Sequence, residues 1–275
     1  MSADANPSLG GESRLGLPPR LLFVTGAPRS GTALVSDWVS QSPWAYCAHE
    51  ISREVVGMTD AEIVQYLWGC AETGSDRMGK VGVREHMRWE GFGRKDPGCL
   101  RLLGFKEPVF WPVQSTSAPY HVAGFLRKFG THYVVILRHP YDVVASGKHR
   151  AAATHTWPEF TTEQHARLWL AAAKLPDLYA GRGSPTLFIK WEDLLLDADA
   201  ARLDLARFLG VPLPASFHGY EHTPERIQVL RSHVSPAGGL VSGGHRHYLA
   251  GSDIKLIDAI VGPAAAELGY LLPGA

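Results

Sequence analysis

A short apolar run, Leu21-Leu22-Phe23-Val24, leads into Gly26-Ala27-Pro28-Arg29-Ser30-Gly31-Thr32, and Thr32 to Ser40 is then apolar at helical intervals. A strand, a glycine turn and a helix in this order aim the backbone N–H groups of the turn at one spot before a positive helix end, which is how an anion is held. The spacing of the two glycines is that of a phosphate loop. In nucleotide hydrolases such a loop continues with Lys and then Ser or Thr, the lysine spanning the β- and γ-phosphates and the hydroxyl binding magnesium. Here Thr32 follows Gly31 directly and the positive charge lies inside the turn, at Arg29. A triphosphate gripped by a loop lysine is therefore disfavoured. An ordinary strand-to-helix turn has the same glycine spacing, but an arginine between proline and serine inside the turn speaks against it.

Two further strands are predicted, Tyr133 to Leu137 and Thr186 to Lys190. The first ends in Arg138-His139-Pro140 and enters a helix near Tyr141; the second precedes Trp191-Glu192-Asp193-Leu194. Strands alternating with helices predict an α/β fold, a parallel sheet flanked by helices with ligands at the strand carboxyl ends. Leu203, Ala206, Phe208 and Leu209 mark a helix that stops at Gly210 and Pro212. Ser252-Asp253 is expected to cap a last helix, in which Ile254, Ile257, Val261, Ala264 and Leu268 recur before Gly269. Ile51 to Leu103 and Pro212 to Arg246 are weakly periodic and are expected as substrate-facing loops. Residues 1–19 are rich in Gly, Ser and Pro and are read as a flexible tail, with 20–275 as a single domain.

Composition narrows the partners. The 27 Lys+Arg residues balance 27 Asp+Glu, which excludes the broad basic field used to bind nucleic acid or an anionic membrane. Any anion must be gripped locally. Cys47, Cys70 and Cys99 contain no C-x-x-C, so neither a disulfide framework nor a cysteine zinc site is expected and a reducing cytoplasm is the simplest location. No uninterrupted apolar run of about 18 residues predicts a membrane span. His218 and His222, and His245 and His247, have spacings that suit a metal, but neither pair has a third ligand in register, and no metal is expected.

Arg138 is placed at a strand's carboxyl edge, and Ser146, about two turns into the following helix, faces the same way. A guanidinium fork with a hydroxyl suits a terminal phosphate. Taken alone, the pattern also describes a strand exit with a helix-starting proline.

Pro28-Arg29-Ser30-Gly31-Thr32 resembles the 5′-phosphosulfate loop of sulfotransferases that use 3′-phosphoadenosine 5′-phosphosulfate (PAPS). It has the arginine form carried by the tyrosylprotein sulfotransferases and many bacterial relatives, with Ala33 where a second threonine is frequent. Arg138 to Ser146 resembles the 3′-phosphate signature of the same family, in the same order along the chain. Lys190-Trp191-Glu192-Asp193-Leu194 is similar to the family's Tyr-Glu-Asp-Leu segment, and the likeness continues through Phe208-Leu209-Gly210-Val211-Pro212. His245 to Leu249 aligns with a basic segment that closes over the cofactor, where Arg246 alone of two arginines is kept.

The resemblance implies the sulfotransferase fold. It also implies transfer of a sulfuryl group from PAPS to a hydroxyl of a small-molecule acceptor, releasing adenosine 3′,5′-bisphosphate. The donor site it implies comprises Gly26, Arg29, Ser30, Gly31 and Thr32 at the 5′ end, Arg138 and Ser146 at the 3′-phosphate, and Arg246. Sulfuryl transfer needs positioning and cations where charge collects. Arg29 and Lys106, a lysine before an x-Pro as in the family, are the candidates. Glu50 stands where the tyrosylprotein enzymes place their catalytic glutamate. A histidine as base, or an ion pair of Glu50 with Arg53, are the alternatives. A P-loop kinase or nucleotide hydrolase would instead bind Mg²⁺-ATP, and a non-catalytic PAPS-binding protein would bind the nucleotide without turnover. The acceptor and the oligomeric state are not readable.

Overall fold

The computed structural model of the chain describes residues 19–51, 54–55, 58–74, 95–109, 131–153, 159–215 and 246–272. Strands β1 (Arg20–Gly26), β2 (Ala45–His49), β3 (Leu102–Lys106), β4 (His132–Leu137) and β5 (Thr186–Lys190) form one sheet in the order β2-β3-β1-β4-β5. Every pairing is parallel. The central strand β1 thus has β3 on one side and β4 on the other. From β1 the chain turns first toward one edge and later toward the other, which opens a crevice at the strand carboxyl ends.

Both faces of the sheet are covered, as a parallel sheet requires. Alternate residues of β1 point to opposite sides. Leu22 and Val24 join Val35 and Trp38 of α1 (Thr32–Ser40), Trp191 and Leu194 of α6 (Trp191–Leu196), and Leu205 and Leu209 of α7 (Ala198–Leu209). Leu21 and Phe23 join Ile63 and Leu67 of α2 (Asp60–Thr73) and Tyr179 of α5 (Leu175–Ala180). A third cluster packs α3 (Pro140–Ala153), α4 (Thr162–Ala173) and α8 (Gly251–Glu267) together through Val144, Trp169, Ile257 and Val261. The carboxylate of Asp253 ties the same three helices by accepting from Lys148 Nζ at 2.7 Å and from the Thr162 hydroxyl.

The segment Ile51 to Leu103, expected as loops, contains helix α2 and the first two residues of strand β3. Thr59 and Glu62 close a capping box at the start of α2, with Thr59 N–H donating to Glu62 Oε2 at 2.6 Å. A Thr-x-x-Glu signal was therefore present in the sequence. The same device, Thr161 with Gln164, starts α4. The last helix begins at Gly251 rather than after Ser252-Asp253; Asp253 lies in its first turn and reaches back to accept from Ala250 N–H at 2.8 Å. Residues 1–18, Arg53, His218, His222 and His245 lie outside the described residues.

Candidate functional site

The turn between β1 and α1 is shaped by its glycines. A methyl group on Gly26 would lie 2.0 Å from the Ile136 carbonyl oxygen, so β4 can pass this close only to a residue without a side chain. Arg29 has φ +71° and Gly31 φ +91°, left-handed conformations that fold the loop back on itself. Helix α1 starts at Thr32 with no side chain capping it and no acidic residue in its first turn, so its first N–H groups and positive dipole end are left for an anion.

Side-chain donors gather at this turn. The Ser30 hydroxyl is fully buried and, among the described residues, has no hydrogen-bond partner. Arg29 Nε donates to Ser146 Oγ at 3.2 Å, joining the β1–α1 turn to helix α3. Arg138, at the exit of β4, lies with its guanidinium carbon 5.9 Å from the centre of the Trp191 ring, and its buried Nε lacks a hydrogen-bond partner among the described residues. Gly26, Arg29, Ser30, Gly31, Thr32, Arg138 and Ser146 thus meet at the carboxyl edge of β1 and β4. Buried donors without acceptors are costly, and an acceptor group bound at this edge would satisfy them.

The neighbouring strands bring in the acid and base candidates. Lys106 ends β3 in register with His49 of β2. Glu50 N–H donates to the Lys106 carbonyl at 2.7 Å, and the Lys106 ammonium makes an ion pair with Glu50 Oε1. Lys106 is nearly fully buried, whereas the Glu50 carboxylate is partly open. Glu50 has φ +49°. Arg29 and Glu50 are the two non-glycine residues with positive φ among those described, and backbone strain of this kind tends to collect at functional sites. Past β3 the chain runs along the end of β1, with Val109 N–H donating to the Gly26 carbonyl at 2.9 Å. The Lys106–Glu50 pair and the loop therefore share one sheet edge.

His49, the neighbour of Glu50, turns the other way. Its Nε2 is 2.7 Å from both Ser36 Oγ and Asp37 Oδ1 of α1, in a buried cluster. It braces α1 against β2 rather than facing the Glu50 side. Arg246 opens the short turn Arg246–Tyr248, and its side chain lies outside the described part. The turn is fastened to α3 by His149 and Tyr248, whose Nδ1 and hydroxyl are 3.0 Å apart.

Trp191 and Glu192 were legible as part of a motif but not as parts of this site. Trp191 lies against Gly31, and Glu192 reaches the residue after Arg138. The available signal was their position immediately after a strand carboxyl end. Among the described residues no group of three His, Cys, Asp or Glu side chains could hold a metal ion, and no helix is long and apolar enough to cross a membrane.

The architecture is that of a parallel α/β protein with a phosphate-loop-like turn at its central strand. No family model matches the chain, and no curated protein matches it. Among solved structures, it is similar to the sulfotransferase domain from the Synechococcus PCC 7002 olefin synthase, with 14% identity over 93% of this chain and 97% of that one and a TM-score of 0.49. It is also similar to the sulfotransferase domain from the curacin biosynthetic pathway, with 18% identity over 93% and 99% of the two chains and a TM-score of 0.47. A sulfotransferase from Mycobacterium avium matches with 15% identity over 95% and 80% of the chains and a TM-score of 0.46.

Proposed function

We propose that this protein is a PAPS-dependent sulfotransferase acting on a hydroxyl of a small-molecule acceptor. The observation that carries this reading is the 3.2 Å bond between Arg29 and Ser146, which sets the β1–α1 turn and the β4–α3 segment, the two candidate anion sites, side by side. Two buried donors in that site, Ser30 Oγ and Arg138 Nε, have no acceptor among the described residues. A nucleotide with phosphate groups at both its 5′ and 3′ positions suits two such sites better than a triphosphate, for which the loop lacks its lysine.

In this reading Arg29, Ser30, Thr32 and the N–H groups of α1 hold the 5′ end, and Arg138 with Ser146 holds the 3′-phosphate. PAPS supplies an activated sulfuryl group on a bisphosphate leaving group. Arg29 and Lys106 place positive charge where the transferring group is held. Glu50 takes the proton of the acceptor hydroxyl, and its ion pair with Lys106 keeps carboxylate and ammonium at the same edge. Arg246 is assigned to closing over the nucleotide.

The test is calorimetric titration with adenosine 3′,5′-bisphosphate beside Mg²⁺-ATP. Binding of the bisphosphate with little or no response to ATP is expected. A preference for ATP overturns the reading in favour of a kinase or nucleotide hydrolase. Turnover of PAPS with a panel of hydroxyl acceptors then separates an enzyme from a protein that only binds the nucleotide.

A further inference from the structure

The peptide unit that joins Arg138 to His139 is held at both of its polar atoms. Its carbonyl accepts from Trp169 Nε1 of α4 at 2.8 Å. Its N–H donates to Glu192 Oε1 of α6 at 2.8 Å. Arg138 leaves β4 just before this unit and helix α3 begins just after it at Pro140, so the orientation of the unit sets where the guanidinium points and how α3 presents Ser146.

Glu192 is an unusual residue for this task. It is 3% exposed, and charged groups are rarely buried so deeply unless they are paired. Burial pushes its carboxyl up to about 7, against the pull of the His139 N–H and the Arg138 charge, and Asp142 pushes in the same direction as burial. Its second oxygen accepts from the Tyr270 hydroxyl at 3.4 Å. An apolar side chain would avoid that cost but would leave the His139 N–H without this acceptor. The preceding residue, Trp191, packs against Gly31 and beneath Arg138. Two adjacent residues of α6 therefore touch both anion-binding segments.

We infer that Glu192 is a positioning residue for the second anion site, holding the Arg138–His139 peptide unit so that Arg138 is aimed at the 3′-phosphate. The inference rests on the donor site proposed above. Glu192 acts through a hydrogen bond of fixed reach, so the length of the side chain decides whether the His139 N–H is held. Glu192→Gln keeps both the length and an acceptor oxygen. Glu192→Asp keeps the carboxyl group but withdraws it from the His139 N–H.

The experiment measures the affinities of wild type, Glu192→Gln and Glu192→Asp for adenosine 3′,5′-bisphosphate and for adenosine 5′-phosphate, with a melting curve for each protein. Wild type is expected to prefer the bisphosphate by about tenfold or more, the value of one or two charge-assisted hydrogen bonds. Glu192→Gln keeps that preference. Glu192→Asp loses it, through about tenfold weaker bisphosphate binding with adenosine 5′-phosphate little changed. A Glu192→Asp protein that retains the wild-type preference overturns the inference, as does equal loss of preference in both variants. Equal weakening toward both nucleotides with a lowered melting temperature marks a structural carboxyl and also overturns it. A wild type that binds both nucleotides equally refutes the donor site itself.

Discussion

Gly31 and Trp191 leave no room between them: a methyl group on Gly31 would lie 2.3 Å from the indole. With φ at +91°, the glycine is needed both for its backbone conformation and for the closeness of the ring. The indole comes from the start of α6, far along the chain, and packs against the β1–α1 turn. Gly31→Ala is expected to cost about 2 kcal/mol or more, since strain and overlap act together. Thermal melting should fall by roughly 4–8 °C, and titration should show bisphosphate binding reduced with it.

Arg138→Ala and Arg29→Ala are expected to differ. Arg138→Ala removes the guanidinium assigned to the 3′-phosphate and should weaken adenosine 3′,5′-bisphosphate by about tenfold to a hundredfold, the range of a charge-assisted contact, with adenosine 5′-phosphate little affected. Arg29→Ala removes a contact to the 5′ end and the bond to Ser146, so both nucleotides should weaken. Calorimetry on the two variants checks the assignment, and full sulfuryl transfer by Arg29→Ala would refute the role of the loop.

Glu50→Gln keeps the shape of the side chain and an oxygen for Lys106 but cannot accept the acceptor's proton. Turnover is expected to fall by about 10²–10⁴-fold, the usual contribution of a general base, with bisphosphate affinity changed by no more than about threefold. Steady-state kinetics beside nucleotide titration measure the split. Unchanged turnover would return the role of base to a histidine.

His165 predicts the acid side of the stability profile. Its ring lies on α4 against Gly147 of α3, 1% exposed, with neither nitrogen hydrogen-bonded among the described residues. Burial, with the nearby Lys148 charge, lowers its pKa to about 4. The unfolded chain therefore binds the proton more readily than the folded one between about pH 6.5 and pH 4. Stability contributed by the neutral ring is present above pH 6.5 and is lost as pH falls through this window, by up to about 3 kcal/mol. Denaturant melts of wild type and His165→Leu across this range check it, the variant being expected to lose much less stability on acidification.

The strand, glycine turn and helix at residues 20–40 were legible because their signals are local: an apolar run, two glycines at fixed spacing and a helical period. The strand exit at Arg138 and the helix that follows it were legible for the same reason, whereas the bond that Ser146 accepts from Arg29 was not, because the two residues lie 117 positions apart. Helix α2 was hidden in a segment whose periodicity is weak, because it buries only part of one face, and β3 straddles the end of that segment with Gly104 interrupting its apolar run. The partner of Glu50 was not readable either. Lys106 meets it because β2 and β3 pair in parallel, a register that the intervening residues do not announce.

The sequence alone determined that this chain has an arginine-bearing phosphate-type loop at the end of a strand, a second cationic strand exit, and no net charge to bind an extended polyanion. Tertiary structure decided the rest. Setting β1 between β3 and β4 brought Arg29 to Ser146, and setting β5 beside β4 delivered Trp191 to Gly31 and Glu192 to the His139 N–H. These contacts join segments far apart in the chain, and their geometry depends on strand order and close packing, which local propensity does not encode.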